Sequence, residues 1–397
     1  MIKRQINQDL IDLAAAYRIV TITGPRQTGK TTLVRTAFPT YTYVSLEDPD
    51  VRALATNDPR AFLALYSRPV IFDEIQRVPM LLSYIQTIVD NDAAKGQFIL
   101  TGSHQLELSE AITQSLAGRT ALLTLYPLSF AETPEASALS VDEHLYRGFL
   151  PAVHAENLNP TRFYRNYFQT YVERDVRKML QVKDLVQFEN FMRLCAGRVG
   201  QLLNASSIAT EVGVSVHTIQ NWFSILEASY LVIRLPPYHA NLGKRLIKTP
   251  KLYFTDVGLA TYLLGVESIE HIQHHPIRGS LFENMVIMEL IKARTNKGLD
   301  PNLFFYRDAN GNEIDVLFRR GTDAYPIEIK SAMTYQSGFR KGLDYYRHID
   351  PRGFKRGFVI YAGDLLPESE DVSTINFRNS AQALEWGRAL ALSDVNH

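Results

Sequence analysis

The first 130 residues alternate short apolar runs with stretches of helical spacing. The apolar runs are rich in Ile, Val, Leu and Phe, and they lie at residues 19–22, 43–46, 70–72, 98–100 and 121–125. Strands of a parallel sheet have this uniformly apolar character because helices cover both faces of the sheet. The pattern therefore predicts an α/β domain, built on a parallel sheet, over residues 1–130.

Helical spacing and a later return of strand-like runs divide the rest of the chain. Pro127 and Pro134 mark the end of the first domain, because proline interrupts helices and sheets. Beyond them we expect a helical lid or linker over 131–195, a segment of helices and two strands over 196–256, and a mixed α/β domain over 257–397.

Composition excludes several classes of protein. Hydrophobic residues make up 46% and charged residues 21% of the 397, which is typical of a globular chain and not of a disordered one. The single Cys195 excludes a disulfide framework and a CxxC zinc or redox site. No apolar run approaches the roughly 18–20 residues that span a bilayer, and the N-terminus lacks the apolar core of a signal peptide. We therefore expect a cytoplasmic protein with no membrane partner.

Charge is balanced overall but not along the chain. The protein has 42 basic and 42 acidic side chains, whereas residues 160–256 contain 13 basic and 7 acidic ones, a local net charge of +6. Such an excess favours contact with a polyanion such as DNA. The alternative is that this segment packs against acidic neighbours within the protein.

A complete phosphate-binding pattern, G-x-x-x-x-G-K-[ST], follows the first apolar run. Glycines let backbone N–H groups wrap a phosphate, and the N-terminus of the next helix points its positive end at the same anion. Lys30 is expected to reach the β and γ phosphates of ATP, and the Thr31 hydroxyl to bind Mg²⁺. The predicted nucleotide-binding residues are Gly24, Pro25, Arg26, Gln27, Thr28, Gly29, Lys30, Thr31 and Thr32.

Two acids end the third apolar run and complete the predicted catalytic centre. Asp73 is expected to hold the Mg²⁺ shell and Glu74 to polarise the attacking water. An Asp-Glu pair at a strand end can also cap the next helix, but beside a phosphate loop the catalytic interpretation is favoured. Ser103 follows the fourth run and is a candidate sensor of the γ phosphate.

Arg119 precedes the fifth apolar run. An arginine in this position can reach the nucleotide of a neighbouring subunit and stabilise the charge of the transition state. The alternative is an internal salt bridge.

These segments resemble the AAA+ ATPases of the AAA_14/DUF4143 family, in which an AAA domain is joined to a C-terminal domain of unknown function. The resemblance covers nearly the whole chain and rests on residues 24–32, 71–76, 100–103, 116–119, 127–130, 253–259 and 279–284. It implies ATP binding, assembly into a homo-oligomeric ring, with a hexamer expected, and an arginine finger at Arg119. It does not identify the biological role.

A helix-turn-helix is predicted within residues 206–227. Ala209 is small where two helices cross, Gly213 supplies the turn, and Ile219 packs the second helix onto the first. The strands that follow suggest a winged helix. The candidate DNA contacts are His217, Thr218, Gln220 and Asn221 on the second helix, with Lys244 and Arg245 in a basic wing. Such domains also dock proteins.

The C-terminal segment contains a second constellation of charged residues. Glu283 lies in a helical stretch, Asp315 in a strand-like run, and Glu328 and Lys330 two residues apart on the next run, where they share one face. The set resembles the core of PD-(D/E)xK nucleases, with Gln336 in a supporting position. The predicted fold of this domain is accordingly α/β and restriction-nuclease-like. Carboxylates suit a second Mg²⁺ or a Mn²⁺ ion. An inactive remnant and a chance match are the alternatives.

Three functions are compatible with these patterns. The favoured one is an ATP-hydrolysing AAA+ protein that remodels or translocates duplex or branched DNA. The second is a metal-dependent DNA endonuclease gated by ATP. The third is a nucleotide switch in which the helix-turn-helix recruits a protein partner.

Overall fold

The computed structural model describes residues 2–103, 115–134, 136–170, 185–238 and 248–386. The predicted wing residues Lys244 and Arg245 lie outside these ranges. Among the described residues, no helix is long and apolar enough to cross a membrane.

The N-terminal unit is a five-stranded parallel sheet with helices on both faces. Its strands have the order β2-β3-β4-β1-β5, and every neighbouring pair is parallel. The predicted parallel sheet is confirmed, and each of the five apolar runs forms a strand. The elements are α1 (Asn7–Ala16), β1 (Ile19–Thr23), α2 (Lys30–Ala37), β2 (Thr42–Ser45), α3 (Pro49–Asn57), α4 (Pro59–Leu65), β3 (Val70–Asp73), α5 (Leu81–Asn91), β4 (Phe98–Thr101) and β5 (Thr120–Thr124).

Successive side chains of each strand point to opposite faces of the sheet, so the apolar side chains pack into two separate cores. Phe72 and Phe98 pack with residues of α4 and α5. Ile71 and Ile99, their chain neighbours, pack with residues of α1 and α2 on the opposite face. Successive residues of a strand point to opposite faces, so a strand covered on both sides is apolar throughout.

The middle of the chain is mostly helical and ends in a β-hairpin. The turn between α10 and α11 has Gly213 at a φ of 78°, a left-handed conformation that glycine adopts without strain. Ser215 then caps α11 by accepting a hydrogen bond from the backbone N–H of Thr218. The elements are α6 (Val141–Arg147), α7 (Pro151–Ala155), α8 (Pro160–Tyr167), α9 (Leu185–Gly197), α10 (Ala205–Val212), α11 (Val216–Ala228) and the antiparallel pair β6 (Val232–Leu235) and β7 (Lys251–Phe254).

The C-terminal unit is a mixed five-stranded sheet of order β12-β11-β10-β9-β8. Strands β8, β9 and β10 are antiparallel, and β11 and β12 continue the sheet in parallel. The predicted mixed α/β domain is confirmed. The elements are α12 (Val257–Leu263), α13 (Ile269–Gln273), α14 (Arg278–Thr295), β8 (Leu303–Arg307), β9 (Glu313–Arg320), β10 (Asp323–Lys330), α15 (Lys341–Ile349), β11 (Gly357–Tyr361) and β12 (Val372–Asn376).

One hydrophobic core runs from the helical middle into the C-terminal sheet. It includes Leu128, Trp222, Phe282 and Phe377. These parts therefore share buried apolar surface. The domain limits predicted at residues 195 and 256 remain predictions.

Buried charges join this shared core to the segment that follows β5. Glu289 of α14 accepts hydrogen bonds from the backbone N–H of Phe130, and Lys292 Nζ donates one to the carbonyl of Leu128 at 2.7 Å. Burial raises the pKa of Glu289 to about 7. The C-terminal unit is therefore attached to the N-terminal unit through specific polar contacts.

Candidate functional site

The phosphate loop joins β1 to α2, and its shape depends on two glycines. Gly24 has a φ of 139°, and a Cβ there would lie 2.3 Å from the carbonyl oxygen of Leu125. Gly29, at a φ of 87°, immediately precedes the first residue of α2. The loop therefore opens at the N-terminus of a helix, which is the arrangement that binds phosphate.

Lys30, one of the two basic residues of this loop, is almost fully buried. Its Nζ donates hydrogen bonds to the carbonyl oxygens of Gly24 at 2.9 Å and Pro25 at 2.7 Å. Burial lowers the pKa of Lys30 to about 8. An incoming phosphate offers the ammonium charged oxygens in place of neutral carbonyls, so it would favour the protonated form.

Asp73 lies at the carboxyl end of β3, beside the loop. Its Oδ2 accepts hydrogen bonds from the Thr31 hydroxyl at 2.8 Å and the Tyr43 hydroxyl at 2.7 Å, and its Oδ1 accepts one from Thr101. Burial and the neighbouring Asp73 raise the pKa of Tyr43 to about 12. Thr31 and Asp73 present hard oxygen donors together, so the residues fit the Mg²⁺ ion that accompanies ATP.

Glu74 follows Asp73 and turns away from the strand through a left-handed backbone conformation, with a φ of 58°. Its N–H donates to Thr101 Oγ1 at 3.2 Å, and its Oε2 accepts hydrogen bonds from Ser103 at 3.1 Å and from Gln76. The turn places the carboxylate beside the end of β4 and not on the sheet face. It is thereby held next to the loop but separate from the Thr31–Asp73 pair.

Parallel topology brings these residues together. The carboxyl ends of neighbouring parallel strands meet at one edge of a sheet, and β1, β3 and β4 are neighbours in the order observed. The sequence did not identify Tyr43, Gln76 or Thr101 as site residues. Thr101 and Gln76 lie in segments that carry the family resemblance, which was an available signal, whereas Tyr43 belongs to no motif.

Arg119 lies at the amino ends of the strands of this sheet, whereas the phosphate loop lies at their carboxyl ends. It immediately precedes the first residue of β5, whereas the phosphate loop follows the last residue of the parallel neighbour β1. A five-residue strand separates its two ends by roughly 15 Å. Arg119 forms a two-pronged ion pair with Asp90 of α5, at 2.6 and 2.9 Å. It therefore reaches no nucleotide of its own chain, and the finger assignment remains a proposal about a neighbouring chain.

The helix-turn-helix presents a polar surface on α11. His217, Gln220 and Asn221 are exposed, while Ile219 and Trp222 are buried in the core. Thr218 is half-buried, and its hydroxyl pairs with that of Ser215 at 2.8 Å. Three of the four predicted DNA-contact residues on this helix are thus available to a partner.

The nuclease-like constellation assembles where β9, β10 and α14 meet. Lys330 Nζ lies 3.1 Å from Asp315 and also contacts Glu328 at 2.5 Å. Burial and then the neighbouring Asp315 raise the pKa of Glu328 to about 8. Gln336 is exposed, and no hydrogen bond in the described structure joins its side chain to these acids.

A second lysine, which the sequence did not single out, enters the same cluster. Lys251 Nζ is 2.5 Å from Glu313 and 3.2 Å from Glu283, and Tyr253 donates to Glu283 at 2.5 Å. Among the described residues, no group of three or more His, Cys, Asp or Glu side chains is arranged to hold a metal ion. The acids as placed do not fit the divalent ion that a nuclease site requires.

Family models match three consecutive parts of the chain. An AAA domain matches residues 16–133, and two domains of unknown function match residues 138–270 (DUF8612) and 278–379 (DUF4143). The first match covers the sheet that carries the phosphate loop, and the third covers the acid cluster of α14, β9 and β10.

Among curated proteins, an uncharacterized protein of Mycobacterium tuberculosis is 30% identical over 322 residues, which is 80% of this chain and 71% of the relative. A Mycobacterium bovis protein gives the same values. A Haemophilus influenzae protein is 26% identical over 247 residues, 58% of each chain.

Two solved structures are more distant. A Walker-type ATPase of Pyrococcus abyssi is 12% identical, with a TM-score of 0.44 over 66% of this chain and 96% of that one. DnaA of Aquifex aeolicus is 14% identical, with a TM-score of 0.25 over 56% and 86%. The AAA-domain and DUF4143 matches, together with the mycobacterial relatives, show that the chain belongs to the family of AAA ATPases that carry a C-terminal DUF4143 domain.

Proposed function

We propose that this AAA ATPase uses ATP hydrolysis to remodel or translocate duplex or branched DNA, acting as a ring-shaped homo-oligomer, a hexamer by analogy with other AAA+ proteins. The observation that supports the proposal is a direct hydrogen bond between the parallel sheet that carries the phosphate loop and the helix-turn-helix segment. Tyr230, two residues beyond α11, pairs its hydroxyl with that of Thr23 at 2.6 Å. Thr23 is the last residue of β1, immediately before the phosphate loop. A change in the loop therefore has a short physical route to the helix-turn-helix.

The chemistry at the ATP site follows from the positions of four side chains. Lys30 would exchange its two backbone carbonyls for oxygens of the β and γ phosphates. Thr31 and Asp73 would hold Mg²⁺, which supplies positive charge to the phosphates when bound. Glu74 would accept a proton from the attacking water, with Ser103 orienting its carboxylate. General-base catalysis of this kind contributes about 10²–10⁴-fold to a rate.

DNA contact is proposed through the exposed face of α11 and the predicted basic wing. His217, Gln220 and Asn221 offer donors and acceptors to base edges, and Asn and Gln pair well with adenine. Lys244 and Arg245 would supply phosphate contacts. The net charge of +6 in residues 160–256 is consistent with such a partner.

One observation favours a second candidate, the nucleotide switch that recruits a protein. Helix α11 contains no Lys or Arg, and its one carboxylate, Glu227, is paired with Arg234. Protein docking does not need the phosphate contacts that DNA binding requires. The ATP-gated endonuclease is a third candidate, and the acids of its site as placed among the described residues are not arranged to hold a metal ion.

The test is the ATPase rate measured alone and with linear duplex, single-stranded and four-way-junction DNA. We expect one or more of the DNA forms to stimulate hydrolysis, and the stimulation to fall steeply between roughly 50 and 200 mM salt as counterions compete. Absence of both stimulation and salt-sensitive binding would leave the protein-docking switch as the better explanation.

Replacing both Gln220 and Asn221 with alanine is expected to reduce DNA stimulation without changing the DNA-free ATPase rate. Both side chains are exposed, so the fold does not depend on them. Ser224→Ala on the same helix is the matched control, because Ser224 is exposed but bonds only the backbone carbonyl of Gln220. Stimulation of the double variant equal to that of wild type would exclude this face as the DNA contact.

Tyr230→Phe is expected to uncouple ATP hydrolysis at the phosphate loop from DNA binding at the helix-turn-helix. The change removes the hydroxyl bonded to Thr23 but keeps the ring, which packs edge-on against Tyr126. Loss of one such hydrogen bond costs about 0.5–1.5 kcal/mol of stability. DNA stimulation of the ATPase should be lost while DNA affinity persists. Tyr126→Phe, in the same aromatic pair, is the control, and undiminished stimulation in Tyr230→Phe would argue against this route.

A further inference from the structure

The acid cluster of the C-terminal unit is reached by a strand from outside that unit. Lys251 and Tyr253 lie two residues apart on β7, so both side chains project from one face of the hairpin. That hairpin belongs to the helix-turn-helix segment, whereas the acids belong to α14 and the C-terminal sheet. The Lys251 side chain is only 3% exposed although it ends in an ammonium group.

The ammonium group of Lys251 lies among carboxylates of the C-terminal unit. Its Nζ lies 2.5 Å from Glu313 and 3.2 Å from Glu283, and Asp315 acts on it electrostatically as well. The Tyr253 hydroxyl satisfies the same Glu283 oxygen that faces the ammonium. Three carboxylates from α14 and β9 therefore converge on one positively charged group.

Charge in this cluster is nearly balanced by the protein itself. A group of buried carboxylates needs a cation, because like charges repel strongly where water is excluded. In the described structure four carboxylates are paired with three basic side chains: Glu283, Glu313, Asp315 and Glu328 with Lys251, Lys330 and Arg307. The usual electrostatic demand for a divalent ion is thus largely met without one.

We infer that Lys251 is a built-in cation that takes the place of a hard divalent ion, and that it keeps the nuclease-like cluster closed to metal while β7 is docked. The observation behind this assignment is the ammonium of one unit enclosed by carboxylates of another. Access of metal to the cluster is then controlled by the hairpin of the helix-turn-helix segment and not by the C-terminal unit alone. The inference requires neither ATP hydrolysis nor DNA binding.

The test is titration of nucleotide-free full-length protein with Mn²⁺ alone, following free Mn²⁺ by electron paramagnetic resonance. Wild type is expected to show no binding that depends on Asp315. Lys251→Met keeps an unbranched side chain but removes the charge, and it should create a site with a dissociation constant of about 1 mM or tighter, within the range of weak hard-cation sites. Lys248→Met, at an exposed lysine three residues earlier, is the matched control and should gain nothing.

Two further variants separate the inference from misfolding and from binding elsewhere. Lys251→Met with Glu313→Gln removes one charge of each sign, so it preserves the charge of the cluster; it should fold and should bind Mn²⁺ more weakly than Lys251→Met. Adding Asp315→Asn to Lys251→Met should abolish the new site, which distinguishes it from Mn²⁺ at Asp73. Thermal unfolding provides a second readout, because Mn²⁺ should raise the midpoint of Lys251→Met further than that of wild type, and the extra rise should disappear when Asp315→Asn is added.

Each other result overturns the inference. Binding by wild type that disappears in Asp315→Asn would mean that Lys251 does not exclude metal, and that measurement needs no variant at Lys251. A folded Lys251→Met variant without Mn²⁺ affinity would mean that the lysine does not occupy a cation position. An equal gain in Lys248→Met would mean that the effect is not local.

Discussion

Replacing Glu74 with glutamine is expected to lower the rate of ATP hydrolysis by about 10²–10⁴-fold, the usual contribution of a general base, while ATP still binds. Glutamine keeps the size of the side chain and can still accept a hydrogen bond from Ser103, but it cannot take a proton from water. Fluorescent-nucleotide binding and steady-state phosphate release, measured on the same preparation, separate the two effects.

Two comparison variants give the Glu74 result its meaning. Lys30→Ala should instead lose nucleotide affinity, because the buried ammonium beside Gly24 and Pro25 is the group expected to hold the phosphates. Glu47→Gln should change neither quantity, since Glu47 is an exposed carboxylate that pairs with Arg77 at 3.6 Å. Normal turnover in Glu74→Gln would remove Glu74 from the role of general base.

The ATP site could be predicted closely because its information is local. The phosphate loop is one continuous segment, and the acids follow an apolar strand, so a parallel sheet is enough to bring their ends to one edge. Hydroxyl groups that complete the site come from elsewhere. Tyr43 bonds Asp73 from the middle of β2, a geometry that depends on strand order and side-chain reach. No periodicity in the sequence encodes that contact.

The contacts between the helix-turn-helix segment and the C-terminal unit could not be predicted from the sequence, for a different reason. Lys251 was counted only as part of a basic segment, and its carboxylate partners occur on a later helix and strand. An excess of positive charge predicts an acidic partner, but it does not say whether that partner is DNA or the protein's own acids. For Lys251 the structure identifies the second. For Arg119 the sequence left open the nucleotide of a neighbouring subunit and an internal salt bridge, and within the chain its observed partner is Asp90 on α5.

Arg119→Ala is expected to reduce ATP turnover by about 10³–10⁵-fold, the range found for arginine fingers supplied to phosphoryl transfer, without weakening ATP binding. Within one chain Arg119 and the phosphate loop lie at opposite ends of the neighbouring strands β5 and β1. Arg119 can therefore act only on the nucleotide of a neighbouring chain. Asp90→Asn is the discriminating control, because it removes the observed ion-pair partner. If Arg119 were merely structural, Asp90→Asn would reproduce the loss of turnover.

Mixing two inactive variants tests the same assignment without relying on a single substitution. Arg119→Ala subunits keep an intact Glu74, and Glu74→Gln subunits keep an intact Arg119. Where the first binds ATP next to the second, one interface contains both groups, so the mixture should hydrolyse ATP faster than either variant alone. Co-assembly is checked by pull-down of differently tagged subunits. Co-assembled mixtures that remain inactive would contradict action in trans, and with it the functional need for a ring.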